Sequence, residues 1–247
     1  MASVPVALVT AGSAGLGAAT ARLFAKDGMR VAVNYSANEE RAAKLVDELS
    51  AISPIPNSRE GFVHIRADLG QRQEIVSLVD QTIKAFGRLD VVFSNAGWTR
   101  FRDISNLDDN VDEEDWDRCF NMNVKSHLFL MHAAKRYLDE TKGVFITTAS
   151  LAGVTAYSVT KAAQIHLAKG LARAAAPNIR VNTVSPGLML TDWGRTMFSD
   201  EKQNEIRHRT KLQRLVTVED VADQVMCFVK SKSVTGANAV IDAGQSI

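Results

Sequence analysis

The sequence predicts an α/β fold built on a doubly wound, parallel sheet of seven strands. Short apolar segments rich in β-branched residues alternate with longer segments of helical period from the first residues to the last. The chain has 247 residues, of which 46% are hydrophobic, enough for the core of one α/β domain. We therefore expect residues 1–247 to form a single domain.

Seven segments have the composition of strands, and several are apolar on both faces, as a sheet covered by helices requires. They are Val6–Thr10, Arg30–Tyr35, Phe62–Ala67, Asp90–Ser94, Val144–Thr148, Ile179–Ser185 and Ala239–Asp242. Between them, helical segments are long enough for right-handed crossover connections. The clearest are Gly15–Lys26, Glu39–Ser50, Gln71–Phe86, Glu113–Leu138, Tyr157–Ala175 and Val218–Val229.

Charge and cysteine content argue against several classes of partner and site. The formal net charge of +1 gives no reason to expect nucleic acid or an anionic membrane. Cys119 and Cys227 lack a neighbouring Cys or His at ligand spacing, which argues against structural zinc. We interpret the acidic segment 107–115 as a helix N-terminus and solvated face, and we expect no metal. Nothing in the sequence resembles a signal peptide or a membrane span, so we expect a cytoplasmic location.

A glycine-rich turn follows the first predicted strand, where a doubly wound fold presents the N-terminus of a helix. Its sequence is Thr10-Ala11-Gly12-Ser13-Ala14-Gly15-Leu16-Gly17. Small residues let the backbone approach phosphate oxygens, and a helix N-terminus favours an anion such as a pyrophosphate. The alternative is a tight turn that binds no ligand.

Three further motifs lie where predicted strands end or in the helix that follows: Asn95-Ala96-Gly97, Tyr157-x-x-x-Lys161 and Pro186-Gly187. Together with the glycine turn, they resemble in order and spacing the short-chain dehydrogenases/reductases, over essentially the whole chain. The resemblance implies a Rossmann-type oxidoreductase, a carbonyl reductase or alcohol dehydrogenase, that moves a hydride between a nicotinamide dinucleotide and a small organic substrate. Ala11 departs from the pattern, because the family usually has its first glycine there. A positive φ at an alanine would be strained.

Tyr157 and Lys161 are four residues apart on a predicted helix, so their side chains project from one face. A nearby ammonium favours the phenolate and lowers the pKa of a tyrosine, which suits acid–base catalysis. The resemblance implies that Tyr157 exchanges a proton with the substrate oxygen and that Lys161 also holds the nicotinamide ribose. It further implies that Ser150 binds the reacting oxygen and that Asn123 anchors a relay water. The alternative is a surface tyrosine beside a solvated lysine.

The resemblance also implies the cofactor contacts. They are Thr10, Gly12, Ser13, Gly15, Leu16 and Gly17 in the turn, Asp68 and Leu69 near the adenine, Asn95, Ala96 and Gly97 at the ribose, Tyr157, Lys161, Pro186 and Gly187, and Thr191 at the carboxamide. Asp68 could instead be a helix N-cap, and Thr191 a simple loop residue.

The end of the second strand bears on the choice of cofactor, because an acid there binds the ribose 2′-hydroxyl and repels a 2′-phosphate. Tyr35, Ser36 and Asn38 stand at this tip, and none is acidic. Ser36 and Asn38 can donate hydrogen bonds to a phosphate, although no arginine stands at the tip and Glu39 and Glu40 follow it. We favour NADP(H), with NAD(H) as the alternative.

The resemblance implies a substrate lid around residues 188–212, and a substrate site formed by Ser150, Tyr157, Leu188, Trp193 and Met197. Packing within the lid, or a subunit contact, is the alternative for these apolar side chains. Sugar, polyol, steroid and β-keto acyl substrates all stay open, because apolar pockets discriminate by only about 1–3 kcal/mol. A homotetramer or homodimer is expected from the resemblance, with Glu113–Leu138 and Tyr157–Ala175 packing against their copies.

The loop between Ser150 and Tyr157 is shorter than is usual in the family. One interpretation is a deletion that distorts the site, leaving a nucleotide-binding scaffold or a redox sensor in place of an enzyme. Another is that the sequence as given lacks loop residues.

Overall fold

The computed structural model describes residues 4–56, 58–103, 105–150 and 155–247. Within these ranges seven strands form one parallel sheet in the order β3-β2-β1-β4-β5-β6-β7. The strands are β1 (Val6–Val9), β2 (Arg30–Tyr35), β3 (Phe62–Arg66), β4 (Val91–Ser94), β5 (Val144–Thr148), β6 (Arg180–Pro186) and β7 (Asn238–Ile241). The order reverses between β1 and β4, which makes the sheet doubly wound and confirms the predicted fold class.

Helices cover both faces of the sheet. They are α1 (Gly15–Lys26), α2 (Glu39–Ile52), α3 (Arg72–Phe86), α4 (Glu113–Phe120), α5 (Ser126–Thr141), α6 (Thr155–Ala175), α7 (Asp192–Met197), α8 (Asp200–Arg209) and α9 (Val218–Lys230). Successive strand residues point to opposite faces, so Ala7 and Val9 pack with α1, α2 and α9, whereas Val6 and Leu8 pack with α3, α5 and α6. Two apolar layers therefore hold the sheet between helices.

The predicted helix Glu113–Leu138 is wrong as a single element. A π-helical turn over Asn121–Lys125 separates α4 from α5, and α5 continues to Thr141. Apolar period alone does not reveal such a turn, because the helix continues on both sides of it. The turn matters for the predicted site because it contains the buried Asn123.

Strand and helix ends otherwise agree with the sequence to within one or two residues. The segment predicted as a lid contains the two short helices α7 and α8. Of the helices in the described ranges, none combines the length and apolar character needed to cross a membrane.

Candidate active site

A cleft of about 810 Å³ opens at the carboxyl edge of the sheet, beside the point where the strand order reverses. It lies between the glycine turn, the ends of β4 and β5, helix α6, and the segment after β6. Eleven of the predicted site residues line it: Gly15, Leu16, Asn95, Gly97, Ser150, Tyr157, Lys161, Pro186, Gly187, Leu188 and Thr191. The fold thus brings residues far apart in sequence to one cavity.

At two positions of the turn, backbone atoms lie too close to leave room for a side chain, so glycine is required there. A Cβ atom at Gly17 would lie 2.4 Å from the carbonyl oxygen of Ala11, and one at Gly12 would lie 2.8 Å from that of Val9. Gly15 has φ +50° and lies against the methyl group of Thr191, 3.0 Å from where its Cβ would be. The turn therefore packs tightly against both helix α1 and the segment after β6.

Ala11 has a φ of +46°, in the left-handed region that favours glycine. Asn34 on β2 holds this conformation: its Oδ1 accepts from the N–H of Ala11 at 3.1 Å and its carbonyl accepts from Gly12 at 2.8 Å. The Asn34 amide in turn donates to the carbonyl of Ala67 at 3.1 Å. The predicted strain at Ala11 is present, and Asn34 is an anchor that sequence reasoning missed.

The N-terminus of α1 faces this cleft. Ala14 is its N-cap, and no side chain caps the helix by a hydrogen bond. The first N–H groups of a helix have no partner within it and carry the positive end of its dipole. An uncapped N-terminus flanked by small residues suits the phosphates of a dinucleotide.

Tyr157 and Lys161 lie on α6, one turn apart, and both contact the cleft. The side chain of Tyr157 is hydrogen-bonded to Ser150, so the shortened loop does not separate these two residues. The amine of Lys161 lies 5.5 Å from the centre of the Tyr157 ring. It donates to the carbonyl of Thr148 at 2.7 Å and to Oε1 of Gln164 at 3.0 Å.

Burial dominates the ionisation of both groups. Desolvation raises the pKa of Tyr157 to about 12, against the opposing hydrogen bond from Ser150. Desolvation also lowers the pKa of the Lys161 amine to about 7. The pKa of Tyr157 is therefore shifted against the expected direction, because desolvation is the largest cause and Lys161 is not among the groups that shift it.

Asn123 joins the π-helical turn to two neighbouring elements. Its Oδ1 accepts from the N–H of Trp98 at 2.8 Å, and its Nδ2 donates to the carbonyl of Trp98 at 2.9 Å and to the hydroxyl of Thr160 at 3.0 Å. A Cβ at Gly97 would lie 3.3 Å from both Asn123 Oδ1 and Lys161 Nζ. Asn123 and Lys161 thus lie close to the same glycine at the cleft.

Several predicted cofactor contacts do not line the cleft, and some of them hold neighbouring backbone instead. Thr10 is fully buried, and its hydroxyl accepts from the N–H groups of Asn95 and Ala96 at 2.8 and 3.3 Å. Asn38 is the N-cap of α2, accepting from Arg41 at 2.9 Å. Gly12, Ser13, Gly17, Tyr35, Ser36, Leu69 and Ala96 are likewise absent from the lining that the described residues form.

Asp68 and Thr191 have local roles that the sequence left open. Gln71, not Asp68, is the N-cap of α3, so the N-cap alternative is wrong. The Asp68 carboxylate accepts from the N–H of Gly70 at 2.8 Å. Thr191 is the N-cap of α7, accepting from Gly194 at 3.2 Å. The side chains of Trp193 and Met197, and residues 151–154 of the short loop, lie outside the described part of the chain.

Two features of the cleft were missed. Arg41, on the first turn of α2, lines the cleft beside the tip of β2 and pairs with Asp192 at 3.4 Å. Phe101 and Phe198 both line the cleft and meet edge to face, with ring centres 5.5 Å apart. Arg41 could have been found from its place in the first helical turn after the strand tip. The pairing of the phenylalanines had no signal in the sequence.

The acidic segment 107–115 serves a helix and an arginine. Asp112 caps α4, as interpreted from the sequence, and Arg102 pairs with Asp109, Asp112 and Asp115 at 3.3, 3.0 and 2.8 Å. Across the described ranges, no three His, Cys, Asp or Glu residues are grouped so that they could hold a metal ion.

Comparison with known proteins gives one consistent result. Residues 10–246 match the family described as enoyl-(acyl carrier protein) reductase. The chain is 31% identical over 248 residues to a 3-oxoacyl-[acyl-carrier-protein] reductase FabG of Staphylococcus aureus, covering 96% of each chain.

Among solved structures, a short-chain dehydrogenase of Burkholderia cenocepacia in complex with NADP superimposes with a TM-score of 0.88 at 34% identity over 98% of both chains. A 7α-hydroxysteroid dehydrogenase complexed with NADH and 7-oxo glycochenodeoxycholic acid does so with a TM-score of 0.88 at 26% identity, over 98% of this chain and 94% of the other. The chain therefore belongs to the short-chain dehydrogenase/reductase family of oxidoreductases.

Proposed function

We propose that the protein is an NADP(H)-dependent reductase that interconverts a carbonyl and a secondary alcohol in a small organic substrate. The observation that carries the proposal is the grouping of Ser150, Tyr157 and Lys161 at one end of an apolar cleft, next to the uncapped N-terminus of α1. The relatives that act on 3-oxoacyl and 7-oxo compounds support the same chemistry.

The turn and the strand tips fit a dinucleotide. Gly15 lines the cleft beside Thr191 without a side chain that would fill the space, Gly17 lets the turn close tightly on itself, and the first N–H groups of α1 suit a pyrophosphate. Arg41 and Asn38 lie at the end of β2 and would hold a 2′-phosphate, because a guanidinium binds phosphate oxygens in pairs. This donor set favours NADP(H) over NAD(H), and the NADP complex of the Burkholderia relative agrees with it.

A nicotinamide bound in this cleft would supply a hydride to the carbonyl carbon in reduction, or accept it from the alcohol carbon in oxidation. Tyr157 then gives its phenolic proton to the substrate oxygen in reduction and takes it back in oxidation. Ser150 donates a hydrogen bond to the same oxygen and stabilises the charge that develops on it. Lys161 stabilises the tyrosinate that forms, so its own proton is needed for turnover. Asn123 fixes Trp98 and α6 relative to each other, and with them this geometry.

Much of the cleft lining is apolar, although Arg102, Asp103, Lys202 and Arg209 also contribute to it. The apolar side chains in it include Trp98, Phe101, Leu188, Met189, Phe198 and Ile206. A substrate with a hydrophobic body beside its carbonyl, such as a β-keto acyl compound or a steroid ketone, fits this lining better than a sugar does.

The assembly proposed from the family is a homotetramer or homodimer in the cytoplasm. Three apolar side chains on or beside the relevant helices are more than a third exposed: Phe120, Leu128 and Val159. Exposed apolar groups on adjacent helices support a subunit contact there. Light scattering tests this, and a monomer at micromolar concentration would refute it.

The function is tested by following NADPH and NADH oxidation at neutral pH with a panel of β-keto esters, steroid ketones, diketones and keto sugars. The proposal predicts turnover of an apolar ketone with NADPH at higher kcat/KM than with NADH. Tight binding of NADPH without oxidation by any compound would favour the nucleotide-binding scaffold.

A further inference from the structure

A row of buried polar side chains lies behind Lys161. It runs from Gln164 on α6 to His127 on α5 and Ser94 at the end of β4, and each of these is at most 2% exposed. Gln164 Oε1 lies 3.0 Å from Lys161 Nζ, and Gln164 Nε2 lies 3.1 Å from His127 Nε2. His127 Nδ1 lies 2.6 Å from the hydroxyl oxygen of Ser94. The reaction described above uses none of these three side chains.

Only one assignment of hydrogen-bond donors and acceptors fits this row of side chains. An ammonium can only donate, so the amide oxygen of Gln164 faces Lys161 and its NH₂ group faces His127. His127 Nε2 must therefore accept, which places the ring proton on Nδ1, the nitrogen that faces Ser94, and the ring also has a hydrogen bond with the backbone of Ala96. This arrangement requires a neutral imidazole. Burial and the charge of Lys161 lower the pKa of His127 to about 3, so the ring stays neutral and the positive charge stays at Lys161.

The same contacts set the direction of the lysine amine. An ammonium has three N–H donors, and the carbonyl of Thr148 and Oε1 of Gln164 take two of them. The third is left for the cleft. Gly97 leaves space on this side, because a Cβ there would lie 3.3 Å from the amine.

Within the described part of the chain, the Lys161 ammonium is stabilised by neutral hydrogen-bond acceptors and not by a negatively charged side chain. The titratable groups that face it in the described structure are Tyr157 on its own helix, His127 on α5 and Cys119 on α4. Burial raises the pKa values of Tyr157 and Cys119, so both are neutral at pH 7. Hydrogen bonds to a buried charge are stronger than those between neutral groups, so each acceptor matters to the proton of Lys161.

We propose that Gln164 and His127 are positioning residues that fix the direction of the Lys161 amine and help it to keep its proton. The inference rests on the proposed function, in which a charged Lys161 acts beside Tyr157. Gln164 acts directly on the amine, and His127 acts through Gln164 by holding its amide in the one orientation that presents oxygen to the lysine.

The test is the titration of Lys161 itself, followed by NMR in full-length protein labelled with ¹³C at the lysine ε-carbon. Lys161→Met assigns the resonance. Exposed lysines have a pKa of about 10.4, whereas burial lowers the pKa of Lys161 to about 7. Gln164→Leu removes an acceptor from the ammonium and should lower the midpoint by about one pH unit. Gln164→Glu places a carboxylate there and should raise it by about one unit or more.

His127→Phe should lower the midpoint by less than Gln164→Leu does, because the amide loses its orientation but not its oxygen. Thr82→Val is the matched control: it deletes a buried hydrogen bond, from Thr82 to the carbonyl of Leu78 on α3, without touching the row. It should leave the midpoint unchanged.

Opposite shifts in the leucine and glutamate variants support the proposal, since a purely structural defect does not change sign with the charge introduced. An unchanged Lys161 midpoint in a Gln164 variant that unfolds as cooperatively as the wild type would overturn it, and the glutamate variant serves if the leucine variant does not fold. The titration needs no turnover, so a wild-type protein that reduces no carbonyl would refute the proposed function and leave this result standing separately.

Discussion

The positive φ of Ala11 makes a quantitative prediction about stability. Ala11→Gly keeps the backbone of the turn and removes a methyl group from an exposed position, so little packing is lost. The left-handed conformation costs an L-residue about 1–2 kcal/mol. Glycine's additional freedom in the unfolded chain offsets about 0.4–1 kcal/mol of that gain. The two ranges together give about 0–1.6 kcal/mol, and from their middle values we expect Ala11→Gly to raise the free energy of unfolding by about 0.8 kcal/mol.

The assay is equilibrium unfolding in urea, with the thermal midpoint as a second measurement. For a chain of this size the gain corresponds to a rise of about 1–4 °C in Tm. Ala243→Gly tests a second alanine with positive φ, +56°, where a smaller gain is expected because its methyl group packs against the core. Ala51→Gly, at an exposed position in the last turn of α2, is the opposite control and should lower stability by up to about 1 kcal/mol. An Ala11→Gly protein less stable than the wild type would refute the reasoning.

Three further predictions concern the cofactor and pH. Gly17→Ala places a Cβ 2.4 Å from the Ala11 carbonyl and should weaken NADPH binding at least about tenfold by calorimetry; Gly170→Ala, with open space around its Cβ, should not. Arg41→Gln should weaken NADPH binding about tenfold or more and NADH binding much less. The control is Arg22→Gln, which breaks a surface ion pair with Glu48 and should affect the binding of neither cofactor. Equal losses for both cofactors with Arg41→Gln would contradict a 2′-phosphate contact. Because burial lowers the pKa of Lys161 to about 7, the charged lysine is lost as pH rises, so the rate of reduction should fall above about pH 7, and a profile flat to pH 9 would contradict this.

The sequence predicted the architecture well because its signals are local. Strand composition, helical period and a glycine turn each depend on residues close together in the chain, and their alternation indicates a parallel sheet with helical crossovers. The cleft-lining residues followed from motif positions, since parallel strands end at one edge. What the sequence did not predict depends on contacts between distant segments.

Asn34 illustrates that limit. It stands in an apolar strand and looks like any polar residue at a strand end, yet its side chain holds Ala11, which is 23 positions away. The π-helical turn around Asn123 and the contact of Gln164 with His127 have the same origin, because each depends on packing between elements. The ionisation of Tyr157 was predicted in the wrong direction, since spacing shows the neighbouring lysine but does not show the burial of both groups.

The central claim is that Tyr157 transfers the proton to the substrate oxygen. It is tested most directly by comparing Tyr157→Phe with the wild type in kcat/KM for the best ketone and in the Kd of NADPH. The account predicts a loss of about 10²–10⁴-fold in kcat/KM with the Kd nearly unchanged, because the phenol ring still fills its place. Retention of more than a tenth of the wild-type kcat/KM would contradict the assignment of Tyr157 as the acid–base group.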